Sequence, residues 1–286
     1  MDSLLGKKTA RTEAKKQLAI VERQEKAARY DALTVERPSG ERWVTMSNAL
    51  TRAAHGLTLG EKRIIMAAVS KLDSMARPIH GQAVPTTKIT AAEYAELAEC
   101  EPNAAYEALQ TAAKNLYNRS IVMFEPSFKR GDRKIGDKGT VTHMRWVGRA
   151  KYHDKEAWIE LAWWHEVVPH LTGLRKNFTS YQLQQASALR SVYSWRLLEL
   201  LTRFKSTGKA EYTIEDFCTS MEATEKQRAD FNNIRRRMIE PAVKELTQKD
   251  GWLIQWEPIK AGRKVKSLRF TFMRNPQGNL FSENSA

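Results

Sequence analysis

Cysteine is nearly absent from this chain of 286 residues: Cys100 and Cys218 are too few for a disulfide framework. Both read as small, half-buried hydrophobes. The six histidines, His55, His80, His143, His153, His165 and His170, form no HExxH, and no Cys/His cluster has zinc spacing. No His-x-His pair accompanies a tyrosine, which disfavours a rolling-circle nickase. No run approaches the ~20 apolar residues of a membrane span. Met1 to Arg37 is charged throughout and lacks the apolar core of a signal peptide. One segment imitates a phosphate loop, Gly131-Asp-Arg-Lys-Ile-Gly136-Asp137-Lys138. A true loop needs Lys directly after the second Gly, followed by Ser or Thr for magnesium. Asp137 stands there instead and would repel a phosphate, so the segment reads as a basic turn. Carboxylate pairs such as Glu215/Asp216 sit at helix starts, where capping accounts for them. Nothing demands a catalyst, a cofactor or a metal.

What the chain has is positive charge. It holds 47 Lys+Arg against 33 Asp+Glu, a formal net charge of +14. A chain this basic usually meets a polyanion. Its 42% apolar and 28% charged residues are an ordinary globular balance, so wholesale disorder is excluded. The expectation is a soluble, cytoplasmic protein that binds a polyanion, either nucleic acid or an anionic membrane.

Residues 1–40 form a basic arm, rich in Lys, Arg, Glu and Ala and closed by the break Arg37-Pro38-Ser39-Gly40. Beyond it, three segments open with Thr followed three residues on by an acid: Thr58/Glu61, Thr90/Glu93 and Thr213/Asp216. Apolar residues at helical spacing follow the first as far as Leu72. Glu101-Pro102-Asn103 then starts a helix that runs through Leu109 and Leu116. Ile121–Phe124 reads as a strand, Lys129–Lys138 as a basic turn, and Val141–Tyr152 and Ala157–Leu161 as further strands. The order repeats later. A helix marked by Phe231, Ile234, Met238, Ala242 and Leu246 ends at Gly251. Strand Trp252–Trp256, basic turn Lys260–Lys264 and strand Leu268–Phe272 follow. At an offset of 130, Ala112–Leu116 falls on Ala242–Leu246. A long helix precedes each unit, at Leu59–Leu72 and Tyr181–Phe204. The unit described is a winged helix: two helices packed at an angle, the later one entering a groove, with a β-hairpin wing beside it.

Charge concentrates on these elements. Residues 229–274 hold 11 Lys+Arg against 5 Asp+Glu, and residues 114–151 hold 10 against 3. Glu93, Glu96, Glu99 and Glu101 lie on the helix before the first reading helix, with no base expected nearby. In Asn232-Asn-Ile-Arg-Arg-Arg-Met-Ile239, successive residues point about 100° apart, so the three arginines cannot all face base edges. One or two can read guanine while the rest hold phosphates. Asn232 and Asn233 fit either adenine or a cap. Pro241 should kink or divide the helix. Trp163, Trp164 and Trp195 are expected to pack the core between the units.

Phe231–Leu246, Gly262–Phe270, Leu57–Ile65, Phe178–Leu183 and Tyr193–Leu198 together resemble the replication initiators of iteron-containing plasmids. The resemblance spans roughly residues 43–274. It implies an α+β fold of two tandem winged helices, at 41–175 and 176–276, with a tail at 277–286. It also implies a protein that binds double-stranded direct repeats at an origin, helps melt adjacent DNA and recruits the host initiator and helicase machinery. Dimers, joined through the first winged helix, would repress the protein's own promoter and limit copy number. By position, Asn233, Arg235, Arg236, Arg237 and Lys244 match the second reading helix, and Arg263, Lys264 and Lys266 match its wing. Asn103, Tyr106, Gln110 and Lys114 lie on the first unit's matching helix. The basic arm and the long first wing depart from the family's shorter members. A dimeric repressor of the same fold is the other reading left open.

Overall fold

The computed structural model describes Arg37 and residues 41–76, 84–125, 140–153 and 156–275. The rest of the basic arm, the Lys129–Lys138 turn with its phosphate-loop imitation, and the 277–286 tail lie outside the described residues.

Strand β1 (Trp43–Ser47) leads into the short helix α1 (Asn48–Arg52). Helix α2 (Leu59–Ser70) starts where expected, because Thr58 and Glu61 cap each other reciprocally. Strand β2 (Thr86–Thr90) ends in a second complete capping box, Thr90/Glu93, which opens α3 (Ala91–Ala98). Helix α4 (Pro102–Leu116) begins with proline in its first turn, where a missing N–H costs nothing. Strands β3 (Ser120–Glu125), β4 (Thr140–Arg145), β5 (Val147–His153) and β6 (Trp158–Trp163) complete the first unit. The expected single strand Val141–Tyr152 is interrupted at Trp146, so β4 pairs with β3 while β5 pairs with β6.

Helix α6 (Val192–Thr202) leads to the second unit, which contains β8 (Lys209–Thr213), α7 (Ile214–Ser220), α8 (Glu225–Arg228) and α9 (Phe231–Ile234). A π segment (Arg235–Ile239) joins α9 to α10 (Glu240–Asp250). The hairpin β9 (Trp252–Ala261) and β10 (Lys264–Arg274) follows. Thr213 caps the Asp216 amide, but the Asp216 carboxylate binds Arg52 instead of closing the box. A further complete box, Thr224/Gln227, opens α8.

The internal repeat is visible in strand order. The first unit's sheet runs β2-β6-β5 and the second's runs β8-β10-β9, so each first strand is hydrogen-bonded to the returning arm of a hairpin. Strand β3 is an addition peculiar to the first unit. The hairpin equivalent to β9–β10 is therefore β5–β6, not the turn at Lys129–Lys138.

The expected helix Tyr181–Phe204 is a strand and two helices: β7 (Phe178–Gln182), α5 (Leu183–Ser187) and α6. Tyr181 pairs across to Val44 in a two-stranded β1–β7 ribbon. Ser191 caps α6. Arg63 donates to the Ser187 and Leu189 carbonyls at the break, at 3.0 and 2.9 Å. A partner from α2 thus satisfies groups that a continuous helix would have paired itself.

Where α6 packs against α1 and α2 lies a buried charge cluster. Arg196 and Glu199 on α6 and Lys62 on α2 are 1%, 0% and 0% exposed. Glu199 binds Lys62 at 2.9 Å and Arg196 at 2.6 Å, and the Tyr181 hydroxyl donates to it at 2.7 Å. Arg196 also donates to the Thr51 and Ala53 carbonyls at the end of α1 and to the Ser220 carbonyl at the end of α7. A cation at these helix C-termini meets the negative end of each dipole. His55 Nε2 donates to the Leu50 carbonyl, so its Nδ1 accepts from Lys62 at 3.0 Å. Nearby, the Glu222 carboxylate accepts the His55 and Gly56 amides. The acidic helix α3 also finds its counter-charges: Glu93 binds Arg42 and Lys71, each at 2.8 Å. Bases distant in sequence therefore correct the expectation that none is near. Burial alone would raise Glu93, but the Lys71 and Thr90 hydrogen bonds outweigh it and lower it.

Glu199→Ala should destabilise the fold by about 3–5 kcal/mol in urea unfolding, because two buried cations lose their carboxylate. Burial brings Lys62 down to about 8 against the pull of Glu199. An unfolded lysine keeps its proton to 10.5, so between those values the unfolded chain binds more protons. Stability from this group should rise across that window, and Lys62→Met should abolish the rise. Burial, then Arg196 and Lys62, hold His55 well below 6.5, so its contribution is full above that pH and falls as pH drops below it.

Candidate nucleic-acid interface

The helical run from Phe231 to Asp250 buries Ile234, Met238, Ile239, Ala242 and Leu246. Asp230 caps it by accepting the Asn232 amide at 2.9 Å. Pro241 has no N–H for the residue 237 carbonyl, and its ring would crowd that oxygen in an α-turn. The chain answers with the wider π turn, in which the Glu240 N–H reaches the Arg235 carbonyl five residues back. The expected division of the helix at Pro241 takes this form.

On the outer face, Arg236, Arg237 and Lys244 are exposed and have no intramolecular partner among the described residues. Arg235 is exposed too, but lies 3.5 Å from Glu240. Asn233 is half-buried. The β9–β10 hairpin closes in two residues, Gly262 and Arg263, with Gly262 at φ +62, a conformation glycine adopts without strain. Lys266 sits at a bulge between Val265 and Ser267. Arg263, Lys264 and Lys266 are exposed and unpartnered among the described residues. Further down the hairpin, Arg269 is clamped by Glu211 at 3.2 Å and Glu257 at 3.0 Å. Arg274 is held by Asp250 at 3.3 Å. Free cations therefore gather at the hairpin tip and along the helix, while those at the hairpin base are neutralised. The Phe231 and Trp256 rings, 6.5 Å apart, hold the helix start against β9. Sequence reading missed that pair, since neither residue carries charge.

In the first unit, Asn103 and Lys114 are exposed, while Tyr106 and Gln110 are half-buried. They line one stripe of α4, away from buried Ala105, Leu109, Ala112 and Leu116. Tyr106 meets Tyr152 of β5 edge-on at 6.0 Å, which ties this helix to its own hairpin. Near the β5–β6 tip, Lys88 and Lys151 lie over the Trp158 ring, at 4.4 and 5.5 Å. These lysines escaped sequence reading because the wing was sought at Lys129–Lys138. Trp163 and Trp195 are buried, as expected, donating to Thr87 and Tyr181. Trp164 is half-buried and donates to Glu166. Cys218 is buried and Cys100 half-buried. Among the described residues no group of three or more His, Cys, Asp or Glu is placed to hold a metal ion. No helix there is long and apolar enough to cross a membrane.

Two units with matching sheets, each presenting a helix beside a hairpin, define a tandem winged-helix protein. The family model described as initiator replication protein, WH1, matches residues 43–202, and that described as initiator Rep protein, WH2, matches residues 213–272. The chain belongs to this family of replication initiator proteins. It is 24% identical over 246 residues to a replication initiation protein of Escherichia coli, covering 84% of this chain and 72% of that one. It is 26% identical over 234 residues to an uncharacterised 27.6 kDa protein of Escherichia coli, covering 79% and 93%. A crystal structure of Pi initiator protein in complex with iteron DNA has the same fold, with TM-score 0.66 and 20% identity over 84% of this chain and all of that one.

Phe231→Ala should lower unfolding stability by about 1–3 kcal/mol, through lost burial and the lost ring pair. Hydrogen exchange should show β9 amides opening faster than those of β8, the strand remote from that contact.

Proposed function

We propose that this protein initiates replication of a plasmid by binding double-stranded iteron repeats at its origin. One observation carries the reading: in a chain of the initiator family, unpaired Arg236, Arg237 and Lys244 line one helix while Arg263, Lys264 and Lys266 crown the adjoining hairpin. Such an arrangement suits a helix in the major groove and a wing on the backbone. That the similar Pi initiator was solved with iteron DNA supports the same reading. Phosphate contacts supply affinity and make it salt-dependent, while base contacts and the deformability of the site supply specificity. Asn103, Tyr106, Gln110 and Lys114 of the first unit add a second, weaker contact. Binding energy spent on bending the duplex promotes melting of the adjacent DNA. The bound protein then recruits the host initiator and helicase. Dimers formed through the first unit repress the promoter and restrain copy number. The work is done in the cytoplasm without a cofactor.

The test is binding to the DNA upstream of the gene, against scrambled duplex, over a salt series. Complexes should step up in number with the repeats. Arg236→Ala and Arg237→Ala should each cost ~1–3 kcal/mol on the repeat. Lys264→Ala should weaken all sequences alike and flatten the salt slope by about one unit. Equal affinity for scrambled DNA would overturn the reading. A single complex on an inverted repeat, with none on direct repeats, would make the protein a repressor.

A further inference from the structure

The two reading helices fall out of step where the π turn lies, and the offset singles out a residue. After the turn, buried Ile239, Ala242 and Leu246 correspond to buried Leu109, Ala112 and Leu116, a constant separation of 130. Before it, buried Ile234 corresponds to Ala105, a separation of 129. Ile234 and Ile239 stand five residues apart, whereas Ala105 and Leu109 stand four apart. The π turn takes up the additional residue, Met238, which is buried beside Ile239. Core packing thus fixes the first turn of the second helix in the same phase as the first turn of α4.

In that phase the partner of Asn103 is Asn232, not Asn233. The caps agree independently. Asn103 is the second residue after the N-cap Glu101, and Asn232 is the second after the N-cap Asp230. Exposure agrees as well: Asn103 and Asn232 are exposed, whereas Asn233 is half-buried. Asp230 engages only the backbone amide of Asn232, and the side-chain amides of both exposed asparagines have no partner among the described residues. A carboxamide offers a donor and an acceptor side by side, which matches N7 and the N6 amino group of adenine in the major groove.

We infer that Asn232, with Asn103 as its counterpart in the first unit, is a base-reading residue specific for adenine, and that the π turn places it there. The inference rests on the DNA-binding reading above, and it displaces Asn233 from the positions assigned by sequence alone.

Asn232→Ala and Asn233→Ala full-length proteins should be titrated against the repeat duplex, against duplexes with single A·T pairs exchanged for G·C, and against scrambled duplex. Both sites are off the core, and circular dichroism establishes that the helix is intact. Asn232→Ala should lose on the order of 5–150-fold on the repeat and no affinity on scrambled DNA. It should also become indifferent to one particular A·T exchange that weakens the unaltered protein. Asn233→Ala should change repeat binding by less than about twofold. Discrimination lost in Asn233→Ala but kept in Asn232→Ala would overturn the inference, as would two variants that both bind like the unaltered protein. Should the unaltered protein itself fail to prefer the repeat, the DNA-binding reading falls first, and that result is recognisable without any variant.

Discussion

Glu199 is the carboxylate on which the seating of α6 depends. It neutralises Lys62 from the first unit and Arg196 from its own helix, all three out of water. Burying three charges is costly, and such a cluster persists only when every hydrogen-bonding group finds a partner. Here the remaining donors reach the ends of helices. Arg196 closes α1 and α7, and His55 accepts from Lys62 while holding the Leu50 carbonyl. The cluster therefore fixes where two helices end, α1 and α7.

With the units locked, each presents one helix and one hairpin built from the same parts. The surfaces differ in charge. Among the described residues the second helix and hairpin tip carry seven unpaired cations, Arg236, Arg237, Lys244, Lys260, Arg263, Lys264 and Lys266, whereas on α4 the assigned stripe has Lys114 as its sole base. The hairpin base is discharged by the Glu211–Arg269–Glu257 clamp, so the positive field is confined to its tip.

Local signals in the sequence announced much of this fold. The Thr58 and Thr90 capping boxes, Pro102 in a first turn and Gly251 after a last one each act within four residues, and each is where periodicity placed it. What escaped depends on partners far along the chain. Phe178–Gln182 is a strand because Trp43–Ser47 lies beside it, and the break before Ser191 is held by Arg63. Short segments such as Thr86–Thr90 and Lys209–Thr213 carry too little pattern to be told from cap leaders. The candidate interface shows the same division. Its cations could be counted from the sequence, but that Arg235 and Arg269 are occupied by acids follows only from the π turn and the cross-strand register.

The β1–β7 ribbon and the Lys62–Glu199 pair bear on how the chain matures. Val44 meets Tyr181 and Lys62 meets Glu199, each across about 137 residues of chain. Domains commonly fold as they leave the ribosome, at ~5–20 residues per second. The first unit cannot close until residues 178–202 emerge, because β1 and the buried Lys62 wait for partners at the end of that same unit. For about 7 to 27 seconds at that pace, the nascent chain holds an unpaired strand and an unneutralised cation. Winged helices in tandem look modular on paper. In this chain the first unit is tied shut by its own last segment, and a cut before residue 178 would strip it of a strand and a counter-charge.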